Sequence, residues 1–88
     1  MNVKVENFRS NAGNPVANQF IIYTREATIF QSYSSTIAIK HKNGKVELGK
    51  NWDYSKTTGK YRNEFLGEGI AETRAKIESG EYILNYEL

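Results

Sequence analysis

The chain has 88 residues, a formal net charge of +2 at pH 7 and no cysteine. This length favours a single domain, residues 1–88, and the lack of cysteine excludes disulfides, thiolate zinc sites and cysteine nucleophiles. The sequence has neither a signal peptide nor an apolar run long enough to span a membrane, so it predicts a cytoplasmic protein with no membrane partner.

The first 18 residues predict a short strand and a loop. Val3 and Val5 alternate with Lys4 and Glu6, as expected of a half-buried strand. Asparagine, glycine and the only proline then cluster in residues 10–15, which is typical of a loop.

The next part of the chain predicts strands joined by tight turns. β-branched and aromatic residues dominate residues 19–24, 27–33 and 36–41. Arg25–Glu26 is the expected turn between the first two strands, and Ser34–Ser35 is expected to break or bend the second.

An Asn43–Gly44 pair is the clearest local signal in the sequence. Both residues tolerate positive φ, as a type I′ hairpin turn requires. The pair therefore predicts a hairpin between residues 36–41 and a strand over residues 45–48.

After Gly49 the apolar spacing changes from that of a strand to that of a helix. Asp53 or Ser55 can cap a helix over residues 55–66, and Gly67 is a natural stop. The residues expected on one stripe of this helix are Tyr54, Thr58, Tyr61 and Phe65.

A second helix is predicted over residues 69–79, with Gly80 ending it. Residues 82–88 then alternate as a closing strand. The side chains expected on the apolar face of the second helix are those of Ile70, Ala71, Arg74 and Ile77.

These elements predict an α+β fold with an antiparallel sheet of four to five strands. The two short helices, about 55–66 and 69–79, are expected to pack on one face of the sheet. The expected core residues are Phe20, Ile22, Ile29, Ile37, Ile39, Val46, Leu48, Phe65, Ile77 and Leu84.

No recognisable set of catalytic or metal-binding residues is present in the sequence. His41 is the only histidine, and two lysines flank it, which disfavours a bound cation. A triad of Ser34 or Ser35 with His41 and Asp53 lacks the Gly-x-Ser-x-Gly elbow, and the glycines form no phosphate loop. We therefore expect a protein that is not an enzyme and that uses neither a metal nor a cofactor.

Basic and aromatic residues are concentrated in residues 40–62, where seven Lys or Arg face two acidic residues. This mixture suits stacking on bases with phosphate contacts, and it is equally typical of protein-interface hot spots. The aromatic residues could instead pack the first helix on the sheet. The candidate binding residues are Lys40, Lys42, Lys45, Trp52, Tyr54, Lys56, Lys60, Tyr61 and Arg62.

Four stretches resemble a family of small uncharacterised bacteriophage proteins. The stretches are residues 30–38, residues 44–48, residues 52–66 and residues 72–82. Within the last stretch, residues 75 and 76 carry no resemblance. Residues 52–66 carry the most specific pattern, W-D-Y-S-x-T-T-x-K-Y-R-x-x-F-L. The resemblance implies a phage or prophage origin and assigns no activity.

The leading expectation is a non-enzymatic phage-type accessory protein that binds a host or phage protein. Inhibition of a host defence protein such as a CRISPR effector would fit this class. The alternatives are a nucleic-acid-binding protein that uses residues 40–62, and a virion structural or assembly component with a self-complementary edge strand such as Val3–Glu6 or Tyr82–Leu88. A homodimer would help so short a chain to bury enough surface.

Overall fold

The computed structural model describes residues 3–88 and contains one six-stranded sheet with two helices. This arrangement confirms the predicted α+β class, with one strand more than expected. The elements, in chain order, are β1 (Lys4–Arg9), β2 (Pro15–Tyr23), β3 (Ala27–Ser32), β4 (Ser35–His41), β5 (Val46–Leu48), α1 (Lys56–Leu66), α2 (Ile70–Ser79) and β6 (Tyr82–Leu84).

The spatial order of the strands is the same as their order in the chain, β1-β2-β3-β4-β5-β6. The first five strands form an antiparallel meander, whereas β6 lies parallel to β5 because the two helices carry the chain back across the sheet. Strands β1 and β6 are therefore the two edges. The closing strand is shorter than predicted, because the Asn85 side-chain oxygen Oδ1 accepts the Glu87 N–H at 3.0 Å and turns the chain.

The predicted hairpin at Asn43–Gly44 is present, but the predicted turn type is wrong. Only Gly44 has positive φ, at 95°, so the type I′ geometry is excluded. The Gly44 N–H donates to the His41 carbonyl at 3.0 Å, and the His41 N–H donates to the Lys45 carbonyl at 2.8 Å. This pattern is a three-residue loop in which the glycine occupies the left-handed position.

Helix α1 agrees with its prediction to within one residue. The Ser55 side chain accepts the Thr58 N–H at 3.2 Å and caps the first turn. Gly67 ends the helix with φ of 72°, in the left-handed region that favours glycine.

Both helices pack on one face of the sheet, where the core lies. The ring of Phe8 lies 5.2 Å from that of Tyr61, and the rings of Phe30 and Phe65 are 5.9 Å apart. The core residues are Phe8, Phe30, Ile37, Ala38, Leu48, Tyr61, Phe65 and Tyr82, with Val46, Ile77 and Leu84 packed against them.

Four of the predicted core residues are on the opposite face of the sheet. Adjacent apolar residues, such as Ile21 and Ile22 or Ile29 and Phe30, leave the inward face undetermined in the sequence. In the structure Ile21 and Phe30 pack with the core and are register partners, so their neighbours point the other way. The misassigned residues, all half-buried, are Phe20, Ile22, Ile29 and Ile39.

The predicted apolar face of α2 is also wrong. Ala71 and Arg74 are exposed and Ile70 is 38% exposed, whereas Thr73 is completely buried. Burial of Thr73 is tolerated because its hydroxyl donates to Glu68 Oε2 at 2.6 Å. Ile77 alone of the predicted set packs against the core.

Glu68, between the two helices, accepts hydrogen bonds from three side chains. Besides Thr73, Lys76 Nζ donates to Glu68 Oε1 at 2.7 Å, and the Tyr82 hydroxyl donates to the same oxygen at 2.8 Å. Burial by itself would raise the pKa of Glu68, but the three donors hold that pKa below its ordinary value. Burial and the Glu68 carboxylate raise the pKa of Tyr82. This network ties α2 and β6 to the end of α1.

Candidate binding surface at the start of helix α1

Two of the nine predicted binding residues lie inside the protein. Tyr61 is 5% exposed and packs on Phe8, so it belongs to the core. Arg62 is 1% exposed. For Tyr61 the structural alternative, packing of α1 on the sheet, describes the geometry.

The Arg62 guanidinium holds the segment before α1 against the helix. Its Nη1 donates to the Trp52 carbonyl at 2.8 Å and lies 3.5 Å from Asp53 Oδ1. The guanidinium carbon also lies 5.2 Å from the centre of the Trp52 ring. Burial lowers the pKa of Arg62, and the nearby Asp53 carboxylate opposes this effect. Trp52, a third predicted binding residue, is half-buried in this arrangement.

Lys40 is occupied by a contact at the other end of α1. Its Nζ donates to the Phe65 carbonyl at 2.9 Å and lies 4.3 Å from the centre of the Phe65 ring. This lysine therefore satisfies a carbonyl in the last turn of the helix, where a cation is also favoured by the helix dipole.

The remaining four predicted lysines form two separate exposed pairs. Lys42 and Lys45 lie at the β4–β5 turn, beyond Lys40, and Lys56 and Lys60 lie in the first half of α1. An 11-residue helix is about 16 Å long, so the pairs are at opposite ends of α1. We call Lys56 and Lys60 the lysine pair. Neither forms a salt bridge with another residue in the range 3–88.

A pocket of about 530 Å³ opens beside the first turn of α1. Tyr33 and Tyr54 line it, and their exposed fractions are 65% and 76%. The buried Ile37 contributes an apolar base. We call this feature the tyrosine pocket; its hydroxyl-bearing lining residues are Ser32, Ser35, Ser55, Thr57 and Thr58.

Tyr33 is the functional candidate that the sequence analysis missed. It was placed inside the predicted strand 27–33, but it lies in the turn between β3 and β4 with φ of 53°. A bulky residue is rarely found at positive φ. The backbone is held there because the Tyr33 N–H donates to the Asn18 carbonyl at 2.7 Å, and the Gln31 side chain donates to the Tyr33 carbonyl at 2.7 Å. The available sequence signal was an aromatic residue followed by two serines at a strand break.

The tyrosine pocket and the lysine pair form one continuous surface. Ser55 lines the pocket and also a shallow depression that includes Lys56, Lys60 and the exposed Ile70. The positive end of the helix dipole lies at this surface, and the Asp53 carboxylate, which also lines the depression, is paired with Arg62 and Arg74. The surface combines exposed aromatic rings, hydroxyl groups and positive charge.

The hydroxyl groups of the pocket bond to one another rather than to a general base. The Ser32 and Thr58 oxygens are 3.3 Å apart, and the Ser55 hydroxyl donates to Thr58 Oγ1 at 3.1 Å. His41 is bonded instead to Glu47, with 2.5 Å between Nε2 and Oε2. Within residues 3–88 no group of His, Asp or Glu side chains is placed to hold a metal ion.

Residues 3–83 match the model of the Family of unknown function (DUF8033). Because the match covers most of the chain, the protein belongs to this family. The membership agrees with the predicted resemblance to an uncharacterised family, and it gives no information on phage origin. No curated protein and no solved structure matches the chain. Over residues 3–88, neither helix has the length and apolar character needed to cross a membrane.

Proposed function

We propose that this chain is a non-enzymatic binding protein that recognises a protein partner through the tyrosine pocket and the adjacent lysine pair. The observation that carries the proposal is the exposure of Tyr33 and Tyr54, 65% and 76%, both of which line a preformed concavity. Tyrosine is enriched among residues that dominate binding energy at interfaces, where its ring becomes desolvated. Rings left this exposed in the free protein have the largest apolar area to bury.

The lysine pair indicates the charge of the partner. Lys56 and Lys60 are exposed at the positive end of α1, so they attract an acidic surface or loop. The partner therefore combines an apolar or aromatic side chain, which enters the pocket, with carboxylates at its rim.

The biological role that we assign to this binding is that of a phage-type accessory protein that blocks a host defence protein such as a CRISPR effector. This assignment rests on the sequence resemblance to small phage proteins together with a surface suited to occupying a partner. Its localisation would be the host cytoplasm.

The test is affinity capture from host lysate followed by quantitative mass spectrometry. The wild-type chain is compared with the double variant Tyr33→Ala/Tyr54→Ala. Loss of two hot-spot tyrosines is expected to weaken binding by about 100-fold or more, so the captured partner should disappear.

Tyr86→Ala is the matched control for this experiment. Tyr86 is 67% exposed and does not line the pocket, so its loss removes the same chemical group from a different part of the surface. A partner recovered equally with all three proteins would contradict the proposal.

A second candidate function is binding of single-stranded nucleic acid on the same surface. The exposed rings next to Lys56 and Lys60 favour it, because bases stack on aromatic side chains while cations contact the phosphates. Binding to labelled DNA and RNA should then weaken steeply as salt rises. Lys56→Glu/Lys60→Glu should abolish that binding, and Lys42→Glu/Lys45→Glu, at the far end of α1, should change it little.

A further inference from the structure

The face of the sheet opposite the helices carries a continuous apolar row. Register partners run across all six strands from Val5 through Ile22, Ile29, Ile39 and Glu47 to the last position. The last position, which is paired with Glu47, is Ile83 in β6. We call the aliphatic side chains of this row the open face; they are Val5, Ile22, Ile29, Ile39 and Ile83.

The composition of the open face is unusual for a surface in contact with water. A sheet that is covered on one side generally presents polar residues on the other. Here five of the six positions in the row are aliphatic, and Val5 and Ile83 are 58% and 46% exposed. Within residues 3–88, both helices pack on the other face, so the apolar row has no covering layer.

The one carboxylate of the row is hydrogen-bonded within this face of the sheet. Glu47, on β5, is the ionisable side chain of the row, and His41 Nε2 lies 2.5 Å from its Oε2. The Asn85 side chain also donates to Glu47, at 3.1 Å. No lysine or arginine points from this row, because Lys40 and its register partners lie on the helix face. A second copy of the face therefore meets a row with no lysine or arginine and a single hydrogen-bonded carboxylate, whereas the lysine pair on the helix side would repel its copy.

The size of the whole sheet face that carries the open face fits a modest dimer interface. Six strands spaced about 4.8 Å apart, with a mean length near 19 Å, present roughly 500 Å² on each copy. Two copies then bury about 1,000 Å², the lower limit for a specific interface. We expect an interface at this lower limit to be weak, with a dissociation constant of about 1 to 100 µM.

We propose that two copies of this chain form a homodimer by packing open face against open face. The twofold axis passes near Ile29 and Ile39, which lie on the two central strands of the sheet. The two sheets stack about 10 Å apart as in a β-sandwich, and the helices face outward on both sides. The dimer uses a surface distinct from the tyrosine pocket, so either proposal can fail without the other.

The first test is sedimentation equilibrium of the full chain from about 5 to 500 µM, a range that brackets the expected dissociation constant. A reversible monomer–dimer equilibrium is expected for the wild type. Ile29→Lys places an uncompensated charge at the centre of the interface and is expected to raise the dissociation constant by at least about 30-fold. Ala71→Lys, on the exposed side of α2, adds the same charge elsewhere and should leave it unchanged within about twofold.

A second test does not depend on the stability of the Ile29 variant. Since the chain has no cysteine, Ile39→Cys and Ala71→Cys each give a single reactive thiol. Facing sheets are too far apart for a disulfide, so a bismaleimide with a reach of about 10 Å is the suitable reagent. Covalent dimer is expected for Ile39→Cys and not for Ala71→Cys. A wild-type chain that stays monomeric throughout the range, or equal cross-linking of the two variants, would overturn the proposal.

Discussion

Replacement of Glu68 by leucine tests whether the hydrogen-bond network between the helices and β6 stabilises the fold. The Glu68 side chain is 3% exposed and accepts from Thr73, Lys76 and Tyr82. Leucine has a similar volume and accepts no hydrogen bond. The variant therefore removes the shared acceptor without opening a large cavity.

The expected loss is smaller than the sum of three charge-assisted hydrogen bonds, because two of the donors have other acceptors. The Thr73 hydroxyl already lies 3.2 Å from the Gly69 carbonyl, and Lys76 Nζ lies 3.4 Å from Glu72. Only the Tyr82 hydroxyl, on a residue 7% exposed, is left without a protein partner. We expect Glu68→Leu to lower the free energy of unfolding by about 2–3 kcal/mol, mostly through this hydroxyl.

A double-mutant cycle isolates that contribution. Tyr82→Phe should cost about 1.5 kcal/mol in the wild type, and in the Glu68→Leu background it should instead restore about 1–2 kcal/mol, because it removes the unpartnered buried hydroxyl. The measurement is urea unfolding followed by the fluorescence of Trp52, the only tryptophan. Effects that add to within about 0.5 kcal/mol would refute the reasoning.

Three further predictions concern the sheet. Phe30→Ala should lower the free energy of unfolding by about 3–5 kcal/mol, and Ile29→Ala should lower it by clearly less, because Phe30 is fully buried and Ile29 is half-buried. If the urea midpoint of the Ile29 variant were the lower of the two, the assignment of faces would be contradicted. Hydrogen bonds from His41, the larger effect, and from Asn85 lower the pKa of Glu47 from 4.5. The stabilisation from the Glu47 carboxylate is therefore present at neutral pH and is lost as pH falls through the lowered pKa. Glu47→Gln should flatten the acid branch of a plot of unfolding free energy against pH, and an unchanged slope would argue against this role. Gly49→Ala would place a Cβ 2.2 Å from the Thr36 carbonyl oxygen, so a thermal melt should show a much lower midpoint, and an unchanged midpoint would exclude this close approach.

Local signals in the sequence predicted the elements well. Ser55 and Gly67 bound the first helix because a side-chain oxygen and a left-handed glycine act over one turn of chain. The Asn43–Gly44 pair correctly predicted the hairpin. It did not predict the turn type, because a type I′ turn requires positive φ at both residues and only Gly44 of the pair has it.

Properties that depend on non-local packing were not predictable in the same way. The run from Phe20 to Ile22 is apolar at every position, so the alternation that would identify the inward face is absent. Thr73 is buried because Glu68 accepts its hydroxyl, a contact that helical spacing does not reveal.

The same limit applies to the candidate binding surface. Tyr54 and the lysine pair were identified from composition, but composition did not distinguish them from Arg62, which is 1% exposed. Tyr33 was missed because its role depends on where the β3–β4 turn brings it, next to the start of α1.

The parallel pairing of β6 with β5 makes the assembly of this fold sequential. Each antiparallel pair joins neighbouring stretches of the chain, so those loops close early and at low entropic cost. Val46 and Tyr82, by contrast, are register partners separated by 36 positions and by both helices. We therefore expect the meander to form first and the connection from β5 through both helices to β6 to close last. We also expect β6 and α2 to be the part of the molecule that detaches most readily under native conditions. Native-state hydrogen exchange would register this difference as lower protection in β6 than in β3.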